Sequence, residues 1–499
     1  MRTFSKSKLL ALRQCPKRLW LEIHRPDLLE YSTETDARLQ TGLQVGEIAR
    51  RIYDREGNGI LIDVQADGFE RAFELTAGLL HTCQPIFEAG FSAGGALTFI
   101  DILLPEARGA ELIWHMVEVK SSASVKDYHH DDLAVQAYTV KAAGITLASI
   151  SLAHIDSSWV YLGNDDYRGL LKENNLTAEI MRRSEEIEGW ILQAQNITAQ
   201  STEPAIETGS QCFSPFACSF YDYCSRNEPK PEYPVYWLPR FSSAKAEKLE
   251  AQGINDLKNV PDEWLNEKQL RVKMHTLTGT VFFDAAGAAS DLAGYPLPAY
   301  FLDFETIQFA VPVWKGTRPY QQIVFQFSLH RFDASGRLAH TEFLDLSGND
   351  PSESFAQSLI AACGEDGPVF VYNAGFEMAR IRELAERYPS LNQPLLAIND
   401  RIVDLLPIAR ERYYHPSQQG SWSIKKVLPA VVPGLRYDTL DGVQDGGMAM
   451  DAFLEGIHPD IAPERKTQIE QQLLAYCKLD TYAMVRLWQV FSGRTDLEL

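Results

Sequence analysis

The chain has no long apolar run, so nothing in it is suited to span a bilayer, which takes about 20 consecutive apolar residues. Its opening, Met1 to Lys8, is basic, and only Leu9-Leu10-Ala11-Leu12 follows as an apolar stretch. That is too short for a secretory leader, so the expectation is a cytoplasmic protein with no membrane partner. Internal repeats and low-complexity tracts are also missing. Positive charge is scarce: 47 Lys and Arg stand against 67 Asp and Glu, a net charge of −20. Such a chain does not coat nucleic acid by bulk attraction, although a nuclease remains open because metal-holding carboxylates add to the acid count. Cysteines number seven, an odd total that argues against a disulfide framework, and none lies two residues from another as paired zinc ligands often do.

What is present is a chain of 499 residues, too long for one core, so two to four domains are expected. Its clearest break is the polar, proline-rich stretch Ser225 to Pro234, and a softer one lies near Ala286 to Ser290. The reading divides the chain into 1–226, a small helical module at 240–285, and 295–499. In the first part, Gly42 to Tyr53 reads as helix and Ala96 to Leu104 as strand. A polar turn at Pro105 to Ala110 is then followed by a strand at Glu111 to Lys120 and a helix at Asp131 to Ala143. The last part alternates strands (300–305, 321–331, 340–346, 368–372) with helices (352–362, 375–387, 465–490), which predicts a mixed α/β sheet.

Two carboxylates interrupt the apolar strand Tyr300 to Thr306. Side chains alternate along a strand, so Asp303 and Glu305 share a face. Far downstream, Tyr476 and Asp480 sit four apart on one helical face. Acids on a buried strand are costly unless a cation accompanies them, and a divalent metal is the usual answer. Between the two lies Val369 to Asn373, a strand turning at Ala374-Gly375 into a helix that begins near Glu377. The alternative for these acids is helix caps and surface charge.

Asp303-x-Glu305, Asn373-x-x-x-Glu377 and Tyr476-x-x-x-Asp480 together resemble the three motifs of the DEDD family of 3′–5′ exonucleases, in its tyrosine-bearing subtype. The resemblance implies a ribonuclease H-like fold and a two-metal phosphodiesterase using Mg²⁺ or Mn²⁺. Asp303, Glu305 and Asp480 would be the metal ligands, and Tyr476 would orient the attacking water. Glu377 stands where that family usually has Asp, and Asp404 is a rival for the position. Ser421 to Lys426 looks like the serine- and lysine-bearing helix start of ribonuclease D relatives, with Lys425 or Lys426 available to a phosphate. Phe304, Phe309, Trp314 and Trp422 are candidates for base stacking or for the core.

A second constellation lies upstream. Asp101 is on one strand, Glu118 and Lys120 share a face of the next, and Gln136 falls on the following helix. This resembles the RecB-like branch of the PD-(D/E)xK nucleases. The resemblance implies metal ligation by Asp101, Glu118 and the helical acid Glu47, with Lys120 and Gln136 as catalytic residues. The histidine common near Glu47 is absent; Val45 or Gly46 occupies that place. Cys15, Cys212, Cys218 and Cys224 match one early and three late cysteines that hold a [4Fe–4S] cluster in such nucleases, with zinc as the lesser alternative. Cys83, Cys363 and Cys477 read as small buried hydrophobes. The basic segment 1–26 (Arg2, Lys6, Lys8, Arg13, Lys17, Arg18 and Arg25 against Glu22) either tracks phosphates or forms a packed amphipathic helix.

Lys248 to Leu257 resembles half of a helix-hairpin-helix, with an ordinary helical linker as the alternative. The whole arrangement resembles a bacterial family that joins an iron–sulfur RecB-like nuclease domain to a DEDD-type exonuclease domain. It implies a nuclease acting on DNA, with single-stranded ends favoured and RNA open, and working with a helicase or a defence system. A nucleic-acid-binding subunit with one or both sites inactive is the other expectation.

Overall fold

The computed structural model describes residues 2–30, 33–109, 111–494 and 497, with the side chains of 33–38, 243 and 250 outside the description. The chain divides into two compact units, Met1–Glu228 with Phe309–Gln321, and Pro229–Gln308 with Gln322–Leu499. Both mix helices with a sheet, in keeping with an α/β protein. Among the described residues no helix is long and apolar enough to cross a membrane.

The first unit opens with β1 (Phe4–Ser5), α1 (Lys6–Gln14), α2 (Pro16–His24) and α3 (Thr33–Tyr53). Its strands β2 (Ile60–Leu61), β3 (Ile86–Ala93), β4 (Ala96–Arg108), β5 (Glu111–Lys120), β6 (Leu147–Ile155) and β7 (Leu171–Asn175) lie side by side in that order, with β1 alongside β4. The helix α4 (Asp127–Ala142) connects β5 to its parallel neighbour β6. Parallel neighbours require such a crossover. Alternation in β4 buries Thr98, Ile100 and Ile102 and leaves Asp101 half-buried on the other face.

The second unit carries a sheet of order β11-β10-β9-β12-β13, from β9 (Ala299–Ile307), β10 (Ile323–Phe332), β11 (Leu338–Leu344), β12 (Val369–Val371) and β13 (Ile402–Asp404). The short strands β8 (Phe282–Phe283) and β14 (Tyr413–Tyr414) pair separately. Central β9 is antiparallel to β10 and parallel to β12, so Asp303 and Glu305 lie mid-sheet. Three helices matter for the site: α5 (Gly375–Arg387), α6 (Ile424–Val431) and α7 (Gly446–Gly456). The last, α8 (Pro463–Ser492), starts with proline at its first turn and stops at Gly493, whose φ of +71° suits a residue without Cβ. Its buried residues fall three and four apart, from Leu473 through Cys477 and Asp480 to Trp488 and Phe491. Trp488 packs 5.5 Å from Phe301 and 5.7 Å from Phe332, so burial of this stripe fixes the helix against β9 and β10.

Several expected boundaries move. Pro105 to Ala110 is not a turn: β4 continues to Arg108, with Pro105 opposite Trp114, and Ala110 lies outside the described residues. Residues 86–93 and 147–155 form strands that the sequence reading passed over. Ala286 to Ser290 is not a break but lies within the helix Ala285–Leu292. In the middle stretch, one helix ends at Glu250, and Ile254 to Leu257 leads through a bridge between Pro234 and Asp256 into a short 3₁₀ turn rather than a second helix.

Candidate metal centre and a second acidic cleft

In the second unit, one carboxylate oxygen each from Asp303, Glu305 and Asp480 lies within 4.8 Å of the other two, the single such group of possible metal ligands among the described residues. Glu305 and Asp480 are buried and Asp303 half-buried. Burial drives the Asp303 carboxyl well above its usual range, with Asp480, Glu305 and Glu377 adding repulsion. Burial and then the charge of Asp480 raise Glu305 to about 8. Asp480 is raised by burial to about 6, against hydrogen bonds from Tyr437 and Tyr476 and the pull of Lys425. Crowded anions of this kind fit a divalent cation, whose charge would reverse each of these shifts.

Glu377, at the start of α5, is buried with its Oε2 lacking a hydrogen-bond partner. Burial raises its carboxyl to about 8. It repels Asp303 but stands outside the close group of three. The rival Asp404 is occupied elsewhere, because its carboxylate accepts backbone N–H groups of Asn373 (2.9 Å), Ala374 (3.1 Å) and Leu406 (2.9 Å). It ties down the strand-to-helix corner, where Asn373 adopts φ +83°. Tyr476 is buried, and its ring lies 6.2 Å from that of Tyr437.

Sequence reasoning missed Tyr437, whose hydroxyl donates to Asp480 Oδ1 at 2.5 Å. It also left the two lysines undivided. Lys425 Nζ lies 5.0 Å from the Tyr476 ring and donates to Gln444 O at 3.0 Å, whereas Lys426 is exposed. The start of α7 also approaches, since a Cβ on Gly446 would sit 3.9 Å from Glu305. The proposed stacking residues Phe304 and Trp422 are core: Phe304 packs on Phe355, and Trp422 Nε1 donates to Tyr413 O. Phe309 and Trp314 belong to the first unit and pack on each other.

Two expectations follow for this group. In the absence of a divalent ion, folded Glu305 and Asp480 hold protons that the unfolded chain releases near pH 4 to 4.5. The folded state then binds more protons between about pH 4 and 8, so its stability falls as pH rises through that window. Mn²⁺ should therefore raise the melting temperature more at pH 8 than at pH 5; a pH-independent shift, read by scanning fluorimetry against EDTA, would contradict this. Secondly, Tyr437→Phe removes a donor behind Asp480 and is expected to weaken Mn²⁺ binding about 10–100-fold, measured by titration of free Mn²⁺ signal.

In the first unit, Glu118 and Asp132 are bridged by two ammonium groups. Lys6 Nζ lies 3.1 Å from Glu118 and 2.8 Å from Asp132; Lys120 Nζ lies 2.6 Å and 2.5 Å from them. Gln136 Nε2 donates to Glu118 at 2.7 Å and to Asp132 at 2.8 Å. Burial opposes the Asp132 anion, yet Lys120 and Lys6 hold it well below the usual carboxylate range. Asp101 accepts the Val119 N–H at 2.7 Å and is raised well above its ordinary value by burial, then by Glu118 and Glu88. Glu88 lies between Phe87 and Ala89, which pair with Ile102 and Ile100 on either side of Asp101, and it adopts φ +56°. Glu88 and Asp132 were not foreseen. Glu47 is not brought to this cluster: it is exposed, while its helix neighbours Leu43, Gly46 and Arg50 line the cleft.

The basic segment does not run free along the surface. Lys8 and Arg18 pair with Glu22, Arg13 with Asp131, Lys17 with Glu203 and Arg25 with Asp27. Cys15, Cys212, Cys218 and Cys224 line one small pocket as free thiols. Burial raises Cys224 to about 11, with the other three thiols adding to the shift. No three of these sulfurs come within 4.8 Å of one another. Of the remaining cysteines, Cys363 and Cys477 are buried, but Cys83 is exposed rather than packed.

The molecule is thus a mixed α/β protein with an acidic group of the kind that can hold metal, drawn from the central second-unit strand and the helix α8. A family model described as "Domain of unknown function (DUF2779)" matches residues 300–423, from the strand carrying Asp303 to the turn before α6. The chain is 27% identical over 206 residues to the "Uncharacterized protein MG366 homolog" of Mycoplasma pneumoniae, covering 38% of this chain and 31% of that protein. It therefore spans about a third of that relative's length. Both matches fit an uncharacterised bacterial family.

Proposed function

We propose that the second unit is a divalent-metal-dependent phosphodiesterase, a 3′–5′ exonuclease on single-stranded DNA ends with the ribonuclease H-like architecture of DEDD exonucleases. The observation that carries this reading is the convergence of Asp303, Glu305 and Asp480 oxygens within 4.8 Å, from a central strand and a distant helix. Those carboxylates would hold the ions. Bound Mg²⁺ or Mn²⁺ lowers the pKa of water and offsets charge on the departing oxygen. Tyr476 orients water, Tyr437 fixes Asp480, and Lys425 adds positive charge facing both tyrosines. Glu377, a buried acid with an orphaned oxygen, would hold a water beside Asp303.

For the first unit we propose a RecB-like domain in which the four thiols hold a [4Fe–4S] cluster. Four thiolates from the two ends of the domain suit an iron–sulfur cluster, with zinc as the lesser alternative. Its acidic cleft reads better as a nucleic-acid-binding site than as a second hydrolytic centre, since Lys6 and Lys120 already neutralise Glu118 and Asp132. The test is incubation of the full chain with Mn²⁺ and 3′- or 5′-labelled DNA and RNA strands. Stepwise release of mononucleotides from the 3′ end is expected, with DNA preferred. No release from any strand would refute the exonuclease reading.

A further inference from the structure

We propose that the loop between Cys212 and Cys218 is a base-stacking wall, which holds an unpaired nucleic-acid strand in the cleft of the first unit. This rests on the nucleic-acid reading above but not on hydrolysis. The cleft has a volume of about 1340 Å³, beyond the roughly 300–1,000 Å³ of small-molecule sites and suited to a polymer.

Phe213 and Phe216 both line it and are 60% and 44% exposed. Large apolar side chains left in water on a well-held segment mark a binding surface. This loop is well held: Cys218 N–H donates to Cys212 O at 2.8 Å, and the Gln14 amide donates to Gln211 O at 2.8 Å and Phe216 O at 2.7 Å. Phe213 lies 4.9 Å from the Tyr221 ring, and Phe216 lies edge-on 4.9 Å from Tyr128 at the start of α4. The rings are thus fixed before any ligand arrives, which lowers the ordering cost of binding.

The same cleft carries Arg18, Arg50 and Lys120, each beside a carboxylate (Glu22, Glu88, and Glu118 with Asp132), and Tyr320 adds a further ring, held by its hydroxyl donating to Ser121 O. The cations balance the cleft's own acids, and the fixed, exposed rings are the chemistry that takes free base faces. A duplex hides those faces in its own stack, so the exposed rings select an unpaired strand. Stacking is indifferent to the sugar, so DNA and RNA strands share the recognition. The wall also lies next to the thiol centre, because Cys218 and Arg18 border both the cleft and the thiol pocket.

The test uses the full chain carrying Asp303→Ala, in Ca²⁺, with fluorescence anisotropy of labelled oligothymidine, oligouridine and a blunt duplex. Adding Phe213→Ala and Phe216→Ala together is expected to weaken single-strand binding by at least about 30-fold, from about 1–3 kcal/mol for each of two stacked bases. Phe213→Trp alone should retain binding, with its emission quenched on saturation. Unchanged affinity in the double variant, tighter binding of duplex than of strand, or a Phe213→Trp emission that ignores the strand would each overturn the proposal. Failure of the wild type to release nucleotides in Mn²⁺ leaves these readouts untouched.

Discussion

Asp303→Ala is expected to cut Mn²⁺-dependent release of nucleotides from a single strand by about 10³-fold while raising the melting temperature of the metal-free protein. The first effect follows from position. Asp303 is repelled by both of the other carboxylates, and its oxygen is within 4.8 Å of each. Losing it removes the shared ligand, and metal stabilisation of the reacting oxygens is worth several kcal/mol, about 4 kcal/mol for 10³-fold. The second effect follows from burial. Without metal, Asp303 is a desolvated acid repelled by Asp480, Glu305 and Glu377, so its removal relieves the fold. Activity lost together with stability gained cannot come from misfolding. Asp404→Asn should behave in the reverse sense, because its carboxylate caps three backbone N–H groups near Asn373 and contributes structure rather than metal binding. Single-turnover hydrolysis and melting in EDTA, run on both variants, separate the two roles. Equal activity of Asp303→Ala and wild type would remove the central strand from the chemistry.

What could be read from the sequence followed period and burial. Asp303 and Glu305 stood out because two acids two residues apart interrupt an apolar strand. Tyr476 and Asp480 stood out because a four-residue spacing lies within a 30-residue helix of regular apolar period. Tyr437 did not, since it sits in a short 3₁₀ turn without period and meets Asp480 across 43 positions of chain. Glu88 was hidden by its left-handed backbone, which disrupts the alternation that marks a strand. Asp132 lies one helical turn before Gln136 and shares its face, so the spacing that picked out one could have found the other. Glu47 is exposed, and Leu39, Gly42, Leu43, Gly46 and Arg50 are the residues of α3 that line the cleft. The mixed α/β character was legible, whereas strand β3 was passed over because its apolar residues run together at Ile86-Phe87 and Ala89-Gly90-Phe91 instead of alternating.

Cys15→Ser is expected to lower the iron content of anaerobically purified protein, bleach absorption near 400 nm, and drop the first unit's melting temperature by roughly 10 °C or more. Cys15 caps the start of α2, while its three partners lie about 200 residues later, so a ligand shared by all four closes a very long loop. Closing such a loop restricts the unfolded chain by roughly 5 kcal/mol, and each kcal/mol moves a domain of this size by about 2–4 °C. The variant should still fold, because Trp20, Leu21 and Phe220 form their own apolar cluster across the same joint, and Gln14 keeps its two bonds to the Cys212–Cys218 loop. What it loses is the tie between chain ends, and the aromatic wall of the neighbouring cleft should loosen with it. A protein that carries zinc in equal molar amount and no iron would replace the cluster with a mononuclear site. Wild-type protein free of both metals, melting at the same temperature as Cys15→Ser, would leave the four thiols as ordinary side chains.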